Sequence, residues 1–366
     1  MRPRCQQVDY TRQGTYHCTS RCVRRASLLA DASDVLLARR PWIEAKLKSL
    51  AKVFAIDIDT FSAMDNHLHL ILTIRPEVAN EWSKEEVARR WLILFEPSRR
   101  GQRRAPTAAD VEALAKKSDI DKYRRRLYDL GEFHKAIKEP LAILVNREEG
   151  VTGHFWEGRF KTRRVLDRAA MLATMAYVDL NPVRSGAART PEESRYAGIR
   201  HRAQARTQTL ARLSRRERTR LRSEASRRTD WRRGCLKFAT EPVPSFLTPI
   251  AQTTARRGVF TDITLDEYLV LVDQIGRRIR AGKRGHIPEG LAPILERLEI
   301  DPERFMAQVA RTDKWFGSVI GLDPAVRSEA KRCRRTRVVS AMNLGRDAPR
   351  RPCETSVRTR SASPRP

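Results

Sequence analysis

Residues Asp65-Asn66-His67-Leu68-His69-Leu70-Ile71-Leu72 constrain this chain more than any other stretch. Built as a β-strand, they send successive side chains to opposite faces, so His67 and His69 point one way while Leu68 and Leu70 point the other. Two imidazoles on one face of a rigid strand form half of a metal site. They are equally at home as polar residues on the outer face of a sheet, and the strand by itself leaves both readings open.

The flanking segments supply the rest of a sheet. Gly14 to Cys22 carries Thr, Tyr and alternating small polar residues, the mark of a first strand, in which His17 reads as structural. From Ser33 to about Ala55 the residues Val35, Leu36, Trp42, Ile43, Leu47, Leu50 and Phe54 recur at helical steps, despite Pro41 near the start. The runs Ile56 to Met64 and His69 to Ile74, separated by the polar Asp65-Asn66, read as an antiparallel hairpin. A strand, a helix and a hairpin in this order predict an α+β fold with helices on one face of the sheet, leaving the other face to present the histidines.

Charge narrows the partner. A chain of 366 residues with a net charge of +29 and a pI near 10.8 calls for a polyanion, nucleic acid before an anionic membrane surface. No run of about 18 apolar residues occurs and Met-Arg-Pro-Arg-Cys opens without an apolar core, so a soluble cytoplasmic protein, with no membrane partner, is expected. Six scattered cysteines argue against a disulfide framework. Cys18 and Cys22, four residues apart in a strand, read as reduced thiols.

Further along, Glu81 to Phe95 and Ala108 to about Asn146 are helical in pattern, with Pro140 expected to break or begin a helix. The basic loop Arg99 to Arg104 between them suits a solvated turn or a phosphate contact alike. In Gly153-His154-Phe155-Trp156-Glu157-Gly158-Arg159-Phe160-Lys161 aromatic and basic residues mix. That mixture fits stacking on bases, and it fits an edge strand that buries Phe155 and Phe160, the reading that residue types favour. Asp167 caps a helix to Leu180 that Pro182 stops, and a step of four residues puts Tyr177 and Asn181 on one face of its end. Tyr123 and Tyr128, among Arg124, Arg125 and Arg126, have no ligand candidate one turn on. His134, His154, His201 and His286 read as ordinary polar residues.

Residues 201 to 234 hold 12 arginines against 3 acidic residues, a basic, partly helical connector extending to 241. Apolar periodicity through Tyr268, Leu271, Ile275, Ile294, Leu298 and Trp315 predicts a small helical unit over 242–322. The Arg-, Ser- and Pro-rich residues 323–366 read as a disordered basic tail.

The chain resembles the HUH single-tyrosine transposases of the IS200/IS605 kind, and more closely the REP-associated tyrosine transposases, over roughly residues 10 to 200. Three stretches carry the resemblance: Met64 to Leu72, Gly153 to Phe160, and Tyr177-Val178-Asp179-Leu180-Asn181-Pro182-Val183-Arg184-Ser185-Gly186. It implies a ferredoxin-like catalytic domain over residues 1–200 acting on single-stranded, hairpin-bearing DNA. In that reading His67 and His69 bind a divalent ion, Mg2+ or Mn2+, Asn181 completes its coordination, and Tyr177 is the nucleophile. Trp156, Arg159, Lys161 and Arg184 would contact DNA. It further implies a nucleoid-associated, bacterial setting and a monomer rather than a dimer with shared sites. The segment between the histidines and Tyr177 is longer than in compact members of the family, and a long extension follows. Two other classes share these residues: a non-catalytic DNA- or RNA-binding regulator derived from a transposase, and a metal-dependent hydrolase that activates water.

Overall fold

The computed structural model describes residues 7–30, 38–95, 98–99, 102–188, 190–212, 246–252, 256–261, 263–279, 319–320 and 328. The expectations for most of the connector, for residues 281–318 and for the basic tail lie outside these residues. Strand β1 (Gly14–Arg21) leads through α1 (Arg39–Leu50) to the hairpin β2 (Ile56–Ala63) and β3 (His67–Ile74). Then come α2 (Pro76–Glu81), α3 (Lys84–Leu94), a two-residue hairpin β4 (Ser98–Arg99) and β5 (Gln102–Arg103), α4 (Ala108–Ala115), α5 (Ile120–Arg126) and α6 (Leu130–Glu148). Strand β6 (Lys161–Val165) is followed by α7 (Arg168–Asp179), α8 (Asn181–Arg184), α9 (Gly198–Arg212), α10 (Leu265–Ile279) and β7 (Val319–Ile320).

The sheet order is β2-β3-β1-β6-β7. Its first four strands are antiparallel, and β7 joins the edge parallel to β6. The protein is therefore α+β, and its four antiparallel strands have the ferredoxin-like order. Among the described residues no helix is long and apolar enough to cross a membrane.

Alternation in the strands sorts the two faces. Leu68, Leu70, Leu72 and Ile74 of β3 join Tyr16 and Cys18 of β1 and Ile56, Ile58 and Phe61 of β2 in one core, closed by Ile43, Leu47 and Leu50 of α1 and by Phe133, Ile137, Leu141 and Val145 of α6. Each such side chain, wholly removed from water, stabilises the fold by about 1.5–3 kcal/mol. Helix α6 runs through Pro140, where the sequence predicts that a helix breaks or begins. Proline removes one backbone bond of the helix at a cost of about 3 kcal/mol, and the core residues on either side of it hold the two halves in line. Cys18 and Cys22 are free thiols buried in this core, and burial pushes the Cys22 thiol up to about 12.

The other face does not stand open along its length, as the sequence predicts. Ile71 projects from the histidine side of β3 and is fully buried, in a second core with α7, α8 and the start of α9. An apolar side chain in an otherwise polar row needs dry cover, and the Ala- and Met-rich α7 provides it. Part of the segment expected to form a separate helical unit belongs to this same core: Ile250, Phe260, Ile263, Leu265, Tyr268, Leu271, Val272 and Ile275 pack with Met175 and Val178. Gly276 allows the approach, since a Cβ there would lie 3.1 Å from Leu180 Cδ2.

Under this second core runs a buried polar network. Asp179, fully buried, accepts from Thr60 Oγ1 at 2.5 Å and from Tyr268 Oη at 2.5 Å. The Arg202 guanidinium stands 4.0 Å from the same carboxylate and donates to the carbonyls of Asp59 and Thr248. Asp59 sits where β2 slips register against β3, an extra residue of the bulged strand, and it accepts from Thr73 Oγ1 at 2.6 Å. Burial, aided by repulsion from Asp57, pushes its carboxyl up to about 7. The unfolded chain gives up that proton near pH 4. Between these values the folded state binds more protons, so the group's contribution falls as pH rises from about 4 to 7 and is level above. The decline amounts to up to about 4 kcal/mol at about 1.4 kcal/mol per pH unit. Asp59→Asn keeps an acceptor for Thr73 and cannot ionise. Urea titrations from pH 5 to 8 should show a flatter decline for this variant, and an unchanged slope would refute the assignment.

Candidate active site

Directly paired residues of antiparallel strands point the same way, so the register lays out rows across the polar face. Lys161, Thr19, His69 and Ser62 form one row, and Arg163, His17, Ile71 and Thr60 the next. Arg21 stands opposite His67. Cations from β1 and β6 thus flank the imidazoles from β1 and β3.

His69 is 4% exposed. Its Nδ1 lies 2.9 Å from His17 Nε2 and 3.2 Å from Thr19 Oγ1, and the two rings stack with centroids 5.1 Å apart. His67 stands nearly perpendicular to His69, centroids 4.8 Å apart, with its Nδ1 2.5 Å from Asn66 Oδ1. Burial, reinforced by Arg163, holds the His17 imidazole down to about 3. Burial, then His17, His67 and the nearby arginines, hold His69 well below the ordinary value. Both rings are therefore neutral at neutral pH.

Helix α7 brings Tyr177 onto this cluster. Asp167 starts the helix by accepting from Ala170 N at 2.9 Å, and the chain stays right-handed through Leu180 into α8. The Tyr177 ring meets that of His69 edge to face at 5.6 Å and that of His17 at 6.1 Å. The Arg184 guanidinium lies 5.7 Å from the centre of the phenol ring. A cleft of about 370 Å³ opens here, lined by His17, His69, Tyr177 and Thr19 and by the cations Arg21, Arg25, Arg159, Lys161 and Arg163, with Glu157 as the one carboxylate in the lining. Five cations against one anion make it a place for phosphate groups.

The residues singled out by sequence divide accordingly. His69, Tyr177, Arg159 and Lys161 share the cleft. His67 stands against His69 outside its lining, and Arg184 stands over the phenol. Asn181 is 7% exposed, and among the described residues its Nδ2 has no hydrogen-bond partner. Trp156 faces inward: it is 8% exposed, donates from Nε1 to Lys138 O at 3.0 Å, and its backbone bridges to Cys22. Phe155 and Phe160 are buried with it, the packing alternative for this segment. Tyr123 packs on Trp91 and lies outside the lining of the cleft, as does Tyr128.

Sequence reasoning missed His17, Arg21, Arg25 and Arg163. The signal for the first two was present in the alternation Thr15, His17, Thr19, Arg21 along β1, which marks a polar face. Which face of which neighbour it meets depends on register with β3, and local pattern does not carry that.

Among the described residues no three His, Cys, Asp or Glu side chains gather as a ready cage for a cation. The donor set that fits one is the imidazole pair His67 and His69 with a carboxamide. Asn181, one turn beyond Tyr177, carries a carboxamide oxygen of the right type. Such a set leaves coordination positions for phosphate oxygens and matches ions that accept mixed nitrogen and oxygen ligands.

No protein-family model and no curated protein matches the chain. Among solved structures it is similar to a REP-associated tyrosine transposase bound to a REP hairpin, at 14% identity and a TM-score of 0.31, over 52% of this chain and 79% of that one.

Proposed function

We propose that this protein cuts and rejoins single-stranded DNA through a covalent bond to Tyr177. The observation that carries the reading is the meeting, in one cationic cleft, of a phenol with two neutral imidazoles. The sequence resemblance supports the same roles. Arg21, Arg25, Arg159, Lys161 and Arg163 hold the phosphate backbone, and the neutral imidazoles keep the region around the phenol free of further charge.

Tyr177 Oη attacks the phosphorus as its proton passes to water in the cleft. The P–O3′ bond breaks, the 3′ oxygen takes up a proton, and the 5′-phosphate remains on the tyrosine. One phosphodiester replaces another, so a 3′-hydroxyl can reverse the step without ATP. A phenol with a pKa near 10 leaves more readily than an alkoxide, which makes this reversal accessible. His67 and His69, with Asn181, would hold a Mg2+ or Mn2+ ion, which when bound supplies polarisation of the scissile phosphate and offsets its growing charge. Arg184, over the phenol face, steadies the ring.

The test is a hairpin-bearing single strand labelled on the 3′ side of the cut, incubated with protein and Mg2+ or Mn2+ and run on a denaturing gel. Label shifted to the size of the protein supports the reading. Cut product without such an adduct, or binding without cutting under either ion, sinks it in favour of a hydrolase or a regulator.

Backbone binding by the cleft carries a separate signature. Single-strand affinity falls with log salt at about 0.7 per phosphate neutralised, so five contacts give a slope near −3.5. The double variant Arg159→Ala/Lys161→Ala should bring it to about −2. An unchanged slope would place the strand elsewhere.

A further inference from the structure

Each imidazole of the pair has its Nδ1 engaged by a different neighbour. Asn66 donates from Nδ2 to the carbonyl of Arg25 at 2.9 Å, which fixes the amide so that its Oδ1 faces His67 Nδ1. A carboxamide oxygen only accepts, so neutral His67 carries its proton on Nδ1 and a lone pair on Nε2. At His69, both His17 Nε2 and Thr19 Oγ1 approach Nδ1, so Nε2 is the nitrogen left for a ligand, and a neutral ring that ligates through Nε2 carries its proton on Nδ1. The two neighbours come from different elements. His17 reaches diagonally across from β1, where it is paired with Ile71, and Asn66 belongs to the turn before β3.

We propose that His17 and Asn66 are positioning residues that set His69 and His67 as Nδ1-protonated rings, so that both present Nε2 to one divalent cation. This rests on the reading of His67 and His69 as the metal pair. A hydrogen bond to the distal nitrogen of a ligating histidine fixes its tautomer and orientation, and losing it costs 10–100-fold in metal affinity, on the order seen across metal sites. Asn66 has a second task. Arg24 and Arg25 both have left-handed backbone, φ 54° and 57°, a conformation that side-chain-bearing residues rarely keep unaided. The bond from Asn66 to the Arg25 carbonyl holds this turn, and Arg25 lines the cleft. One side chain therefore links the geometry of the cation pair to the placement of a phosphate-binding arginine.

Two measurements on the full chain test this. In the metal-free protein labelled with 15N-histidine, long-range proton–nitrogen spectra should show His67 and His69 as Nδ1–H tautomers, and Asn66→Ala should release His67 from that form. Mn2+ titration followed by electron paramagnetic resonance should show 10–100-fold weaker binding for Asn66→Ala and for His17→Leu. His17→Gln, which keeps an acceptor, should bind within a few fold of the parent. Asn66 is only half-buried, so its variant serves even if the core variant His17→Leu fails to fold. Nε2–H tautomers in the parent overturn the proposal, as does Mn2+ binding by both Asn66→Ala and His17→Leu at parental strength. If that occurs while His67→Ala and His69→Ala lose Mn2+, the metal pair stands and only the positioning role falls. If the parent binds no Mn2+, the metal reading falls with it.

Discussion

Tyr177→Phe should leave single-strand binding intact and reduce covalent adduct to background. The substitution removes one oxygen and keeps the ring, which packs edge to face on His69 and His17 and under Arg184. Its effect on folding is therefore small, while the proposed nucleophile is gone. The loss expected is of the whole covalent pathway, at least about a thousandfold, as for removal of nucleophiles that act as a unit with their surroundings. Denaturing gels report the adduct and filter binding reports affinity. Adduct at parental level in Tyr177→Phe would mean that another residue attacks. Tyr123 and Tyr128, on or beside α5 and outside the cleft, offer no geometry for it.

The second large effect expected is on stability. Asp179 is fully buried between β2, α9 and α10, and it accepts hydrogen bonds from Thr60 and Tyr268 beside Arg202. Asp179→Ala strands two hydroxyl donors and leaves the Arg202 guanidinium, 1% exposed, without its nearest carboxylate. Removing one partner of a buried ion pair costs about 3–5 kcal/mol. Asp179→Asn keeps an acceptor and should lose clearly less. Denaturant midpoints at constant m-value measure both. A loss below about 1 kcal/mol in Asp179→Ala would mean that the network contributes little. The carboxyl lies two residues from Tyr177, so the same network anchors the end of the helix that carries the phenol.

Much of the fold is legible in local pattern. The alternation in His67 to Ile74 forecasts β3 and both of its faces, and Asp167 caps α7 as its sequence suggests. The run Ile56, Ile58, Phe61, Ala63 changes parity between Ile58 and Phe61, and the structure places the bulge there, at Asp59. What local pattern does not hold is distance in sequence. His17 and His69 are 52 residues apart and Asp179 and Tyr268 are 89 apart; register and docking decide both contacts. Pro140 misleads for a related reason, because tertiary packing on either side outweighs one missing helix bond. The stretch read as helical in pattern from Ala108 to about Asn146 is three helices, with corners before Ile120 and Leu130 that the pattern did not locate. Periodicity does not register such corners when each piece buries its own apolar stripe.

Tyr177 and His69 reach one another inside a single polypeptide, 5.6 Å between ring centres. Each copy of the chain thus holds both the phenol and the imidazoles beside it. On the proposed reading, strand cutting is first order in protein, with one molecule consumed per break until a 3′ end returns to release it. Such an agent is counted out like a reagent, one for each cut.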